Sequence, residues 1–196
     1  MSKPTRAEPR RRSASPGRTS PSSRILYPLD TVCTWAGIGL PTAKVLSPYD
    51  IPLPYRSLLV HESDMTMTLE QHFGGRIRLR VLSTFFRSGS YFRRVLLVQE
   101  YSGRPVEMGA IRMNLGVFSR RIRGQILKNE IPLGRLLRDG RVDFKSQAKL
   151  FLGITPNSEM MGVFWMREPR TLYGRQTEVI HRGVKIGDIV EVLPPV

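Results

Sequence analysis

The sequence predicts an α+β fold: a single domain built on an antiparallel β-sheet of about six strands, with helices and flap-like segments covering one face. Three observations predict it. Residues 91–113 read as a β-hairpin, with aromatic and branched residues in the first arm, Ser102-Gly103 at the turn and a return arm over 106–113. Residues 76–82 alternate strictly, Ile77, Leu79 and Val81 against Arg76, Arg78 and Arg80, which marks a half-buried strand with a basic outer face. Residues 172–193 form a closing hairpin that turns at Arg182-Gly183. Successive antiparallel strands joined by short turns make a meander.

In chain order, residues 1–24 are rich in Pro, Ser and Arg, with seven basic residues and one acidic. Such a segment buries too little surface to offset its ordering entropy, so it is expected to be a disordered tail ahead of a domain over 25–196. It has no aromatic residue to stack on bases, which argues against a nucleic-acid-binding arm. It is Arg- and Ser-rich like an organelle transit sequence, but has no amphipathic helix period. Residues 25–56 read as irregular, because prolines at 28, 41, 48, 52 and 54 forbid a long helix. Trp35 is expected to pack over the sheet as a lid or strap.

Residues 57–73 read as two helical pieces, the second capped by Ser63 or Asp64 with Met65, Leu69 and Phe73 on one stripe. Met65 reads first as a core methionine, although the free N–H groups of a helix start can also hold an anion. His61 and His72 have no second ligand at helical spacing and are not read as metal ligands. A helix capped by Ser119 runs through Lys128, and Pro132 opens another that Gly140 ends. The amides of Leu133 and Gly134 fall in its first turn. Residues 142–153 run from irregular chain into a strand, and 161–167 form a further apolar run.

Two charged residues stand out in this pattern. Arg93 shares a strand face with Val95 and Leu97, while Arg94 points the other way with Phe92, Leu96 and Val98. Both faces are apolar, so at least one guanidinium borders a core and needs an anion, from the protein or from a ligand. Glu191 lies between Ile189 and Leu193 on one face of the last strand. It is either the partner of a buried arginine or a catalytic group with a raised pKa.

Composition sets the remaining bounds. The 196 residues suffice for one domain with a core. No run approaches the ~18 apolar residues of a membrane span, and the N-terminus lacks a secretory signal, so a cytoplasmic protein is expected. The single Cys33 makes neither an internal disulfide nor a cysteine zinc site. The formal net charge of +15 draws anions, whether nucleic acid, anionic lipid or small carboxylates and phosphates. No RNA- or DNA-reading motif is present in the body, so a nucleic-acid partner is disfavoured.

Four segments carry a family resemblance: HESDMTMTLEQHF (61–73), YFRRVLLV (91–98), IPLG (131–134) and LYGRQTEVIHRGVKIGDIVEVLPP (172–195). In this order and at these spacings, residues 50–194 resemble chorismate lyase (chorismate pyruvate-lyase), which converts chorismate to 4-hydroxybenzoate and pyruvate. The resemblance implies that Arg93 pairs with the ring carboxylate, that the backbone amides at Met65 and Leu133 complete that site, and that Glu191 meets the oxygen-bearing end of the ring. It implies no metal and no cofactor, chorismate as the partner, slow product-limited turnover, and a monomer, with a dimer as the alternative. Ala110 stands where some members carry an arginine, and Arg112 is the possible second carboxylate contact. Two other functions stay open: a non-catalytic effector-sensing module of the same fold that binds an aromatic acid, and a basic nucleic-acid-binding protein.

Overall fold

The computed structural model describes residues 25–195; the expected tail over 1–24 lies outside the described residues. Seven strands form one antiparallel sheet: β1 (Thr42–Leu46), β2 (Ile77–Arg87), β3 (Ser90–Gln99), β4 (Pro105–Met113), β5 (Lys145–Thr155), β6 (Leu172–His181) and β7 (Val184–Leu193). Their spatial order is β1-β5-β6-β7-β4-β3-β2. Among the described residues there are six helices: α1 (Leu29–Ala36), α2 (Tyr55–Leu59), α3 (Met65–Phe73), α4 (Arg120–Lys128), α5 (Leu133–Asp139) and α6 (Ser158–Val163). This is the α+β domain that the sequence predicts, consistent with the chorismate lyase-like fold, but with seven strands in place of about six and with helices on both faces of the sheet rather than one.

Tight turns fix two of the strand pairings. Ser88-Gly89 and Arg182-Gly183 both have positive φ, at 48° and 72° and at 49° and 79°. Two left-handed residues in succession make the turn whose twist suits a tight hairpin, so β2–β3 and β6–β7 become adjacent pairs. β7 then pairs with β4, bringing the closing hairpin against the middle of the chain.

Period-two alternation sorts the side chains between two cores. On one face Leu96, Met108, Ala110, Val190 and Val192 pack with α1 and α6. On the other face Val95, Leu97 and Leu193 pack under α2 and α3, while Ile111 and Val179 pack under α4 and α5. The caps follow the expected chemistry. Asp64 accepts from the Met67 amide at 3.0 Å to start α3, Ser119 accepts from the Ile122 amide to start α4, and Pro132 precedes α5.

Two stretches depart from the sequence reading. Residues 25–56 are not irregular, because an eight-residue helix fits between Pro28 and Pro41 and a five-residue strand between Pro41 and Pro48. The prolines punctuate short elements rather than abolish them. The first three residues of the apolar run at 161–167 complete helix α6, which Asn157 caps by accepting from the Met160 amide at 2.8 Å. Trp35 does pack over the sheet, stacked on Phe85 with centroids 4.4 Å apart.

Candidate functional site

Adjacent arginines on β3 meet opposite fates. Both are buried, Arg93 at 2% exposure and Arg94 at 3%. Arg94 turns to the α1/α6 face and closes an ion pair with Glu159 of α6. Arg93 turns to the other face, where no carboxylate among the described residues lies within ion-pair distance of it. Its Nη1 donates to Asn129 Oδ1 at 3.2 Å and its Nε has no partner. Asn129 ends α4 in a left-handed conformation (φ 59°), and its Oδ1 also accepts from the Tyr91 hydroxyl at 2.8 Å. Burial presses the Arg93 pKa below its ordinary value.

Arg93 lines a cavity whose empty space, counted with its opening to solvent, is about 590 Å³. Met65, Leu133 and Glu191 line the same cavity, so the structure brings together four of the residues singled out in the sequence. Met65 is the first residue of α3 and Leu133 the first of α5. First-turn N–H groups have no acceptor within their own helix. Asp64, just ahead of Met65, pairs with Arg138 in the last turn of α5, which ties the start of α3 to that helix.

Strand register sets the shape of the cavity floor. Arg93 lies opposite Ile111, and Ile111 opposite Ile189. The next rung on this face runs Val95, Gly109, Glu191, Arg175. Arg93 and Glu191 are therefore two residues apart along the strands, roughly 7 Å, and two strands apart across them, roughly 10 Å. They border one slot without pairing. Gly109 lies between, and a Cβ there would stand 3.0 Å from Glu107 Oε1 and 3.4 Å from Val95 Cγ2.

Of the two readings of Glu191, the structure gives the arginine partner, and the arginine is Arg175. Glu191 Oε2 accepts from Arg175 Nε and from the Thr177 hydroxyl at 3.0 Å. Arg175 is fully buried and donates through Nη1 to the carbonyls of Leu59 (2.9 Å) and His61 (3.1 Å). Burial, and then the nearby Arg175 charge, holds the His61 pKa below its usual value.

Arg112 is not brought to this cavity. It follows Ile111 on β4 and so faces the other side of the sheet, where it donates from Nε to Ser90 Oγ at 3.0 Å and lies 3.8 Å from Asp188. It lines a separate depression with Tyr27 and Phe92. A second carboxylate contact from Arg112 is therefore excluded by strand alternation.

Sequence reasoning missed three residues here: Asn129, Arg175 and Glu107. Glu107 is 4% exposed on the cavity wall, and its Oε2 has no hydrogen-bond partner. The rule that exposed Glu191, a carboxylate on an apolar strand face, also applies to Glu107 between Pro105 and Gly109. Asn129 comes from a remote helix end, and Arg175, on the same closing hairpin as Glu191, is set opposite it only by the register shift between Val179 and Ile180.

No family model matches the chain, and no curated protein does. Solved structures do match it. The chain is similar to the gene product SA0254 from Staphylococcus aureus, with a TM-score of 0.51 and 9% identity over 69% of this chain and 90% of that one. It is similar to PhnF from Mycobacterium smegmatis, with a TM-score of 0.50 and 12% identity over 69% of this chain and 65% of that one. A looser match, at a TM-score of 0.39 and 15% identity, is the C-terminal domain of the histidine utilization repressor from Pseudomonas syringae, over 61% and 92% of the two chains. At 9% and 12% identity the likeness is one of fold. Among the described residues no helix is long and apolar enough to cross a membrane.

Proposed function

We propose that the chain binds a small ring carboxylate in this cavity, with Arg93 as its anchor. The observation that carries the reading is the buried Arg93 guanidinium, which lacks a carboxylate partner on a cavity wall although its neighbour Arg94 has one. A buried cation without an anion is costly, and a planar carboxylate matches the guanidinium fork. Apolar walls from Val95, Leu97, Ile111 and Ile189 suit a ring. This reading takes the chain as an effector-sensing module of the kind the sequence resemblance allows. Calorimetric titration with benzoate and 4-hydroxybenzoate tests it. Saturable binding that Arg93→Ala removes supports it, and binding unchanged in that variant overturns it.

A second reading, chorismate pyruvate-lyase, is favoured by the position of Glu191, one rung along from Arg93 on the same face of the slot. The reaction breaks the enolpyruvyl ether C–O bond. The ring loses one hydrogen and becomes aromatic, and the enolpyruvyl fragment leaves as pyruvate, with no net oxidation or reduction. The protein's part would be to hold the diene, exclude water and stabilise charge on the departing group. Purified protein mixed with chorismate separates the two readings. Release of pyruvate and 4-hydroxybenzoate above the uncatalysed rate supports the lyase; binding without release supports the sensor.

A further inference from the structure

Glu107 is the second ionisable group of the cavity that the protein itself leaves unpartnered. Its side chain is almost wholly buried and lines the cavity, and Oε2 meets no donor. No Lys or Arg nitrogen among the described residues lies within ion-pair distance of it. Arg175, on the neighbouring rung, is held on Glu191 through Nε and on two carbonyls through Nη1; its Nη2 is buried without a partner and does not come within ion-pair distance of Glu107. Glycine at position 109 keeps the space beside Oε1 open, since any side chain there would press on that oxygen.

The charges around the cavity can be paired off. Glu191 on β7 neutralises Arg175 on β6, and Asp64 ahead of α3 neutralises Arg138 on α5. His61, beside Arg175, is held toward its neutral form. Arg93 on β3 and Glu107 on β4 remain. They are four residues apart along the strands, because Arg93 faces Ile111 and Leu97 faces Glu107. That separation, roughly 13 Å, is too long for either to serve the other. An ionised Glu107 would be a dry anion beside a second anion, Glu191. A protonated Glu107 is a hydrogen-bond donor without an acceptor.

We propose that Glu107 presents a carboxylic-acid O–H to the cavity and donates it to an oxygen of the ligand, at the end of the slot away from Arg93. The ligand class follows from the charge count: a monoanion, with one carboxylate on Arg93 and an uncharged oxygen, such as a ring hydroxyl or carbonyl, at the far end. This rests on the carboxylate-binding reading of the cavity. It deepens that reading by naming the residue that distinguishes one ring acid from another. Burial, and then the Glu191 charge, holds the Glu107 carboxyl well above the usual carboxylate range, which accords with the geometry.

The test is a titration of the wild type, Glu107→Leu and Glu107→Gln with benzoate and with 4-hydroxybenzoate near pH 7. The wild type is expected to prefer 4-hydroxybenzoate by about tenfold, the worth of one well-made buried hydrogen bond. Glu107→Leu is expected to lose the preference while still binding benzoate, and Glu107→Gln, which keeps a neutral donor, to retain most of it. Infrared spectroscopy of the ligand-free protein supplies an independent readout. A protonated-carboxyl band is expected near neutral pH in the wild type and is expected to vanish in Glu107→Gln. Benzoate binding with no preference for the hydroxylated ring, or no such band, overturns the role of Glu107 alone. Failure of the wild type to bind either acid overturns the cavity reading and this proposal with it.

Discussion

Arg175 lies directly opposite Glu191 in the β6–β7 register, and the two form a buried ion pair at the cavity floor. The pair holds Arg175 on Glu191, beyond ion-pair distance of Glu107, and leaves Glu191 no free charge to neutralise Arg93. The cavity therefore has one unmatched cation and one unmatched carboxyl group.

Breaking that pair is expected to be expensive. Glu191→Gln strands the Arg175 charge in a dry site, and removing one member of a buried pair costs roughly 3–5 kcal/mol. Chemical denaturation checks it. The double variant Arg175→Met/Glu191→Leu is expected to lose less than Glu191→Gln alone, because it removes both charges.

Arg93 is expected to trade stability against binding. Arg93→Met removes a buried cation held by one hydrogen bond, so the ligand-free protein is expected to melt at a higher temperature than wild type. Affinity for a ring carboxylate is expected to fall roughly 10- to 150-fold, the equivalent of ~1.5–3 kcal/mol for a hydrogen bond to a charged group. Thermal melts with and without benzoate read both effects. A variant with lowered stability and full affinity would overturn the assignment.

Glu107 is expected to give stability a distinctive pH dependence. Its folded-state pKa is raised, by burial first and by Glu191 second. Its contribution is therefore greatest below the unfolded carboxylate pKa of about 4.3 and is lost as pH rises through the folded value. Glu107→Gln removes that loss. The difference in unfolding free energy between Glu107→Gln and wild type is expected to grow with pH above about 4.3, in favour of the variant. Urea titrations at several pH values check the sign.

The helix starts that roof the cavity depend on one small residue. A Cβ on Gly134 would lie 2.3 Å from Asp64 Oδ1, the atom that caps α3. Gly134→Ala is expected to push Asp64 off its cap and away from Arg138, costing ~1–2 kcal/mol for the cap alone. Differential scanning calorimetry checks it.

Much of this was legible in the sequence where one segment carried its own signal. Strand alternation put Arg93 and Arg94 on opposite faces, and the misfit carboxylate on the last strand drew attention to Glu191. The caps at Asp64 and Ser119 and the proline before α5 were readable because capping is local chemistry. The partner of Glu191 was not readable, although both residues lie on the closing hairpin the sequence predicts, because the bulge between Val179 and Ile180 shifts the register by one residue and sets Arg175, not Gly174, opposite Glu191. Asn129 reaches Arg93 from a helix end 36 residues away, and nothing near either residue announces it. β1 escaped notice because it is a short edge strand with three of its five side chains exposed, so its burial imposes no clean period.

The sheet is two three- and four-stranded halves joined along a single seam, β4 against β7, and the floor of the slot crosses it: Arg93 and Glu107 belong to one side, Glu191 and Arg175 to the other. Because strand side chains change face with every residue, a slip of one position along that seam would swing Glu191 and Arg175 out to the α1/α6 side while Arg93 stayed put. The protein's capacity to recognise anything in this slot is thus a direct readout of how faithfully six rungs, Met108–Met113 against Gly187–Val192, hold their alignment.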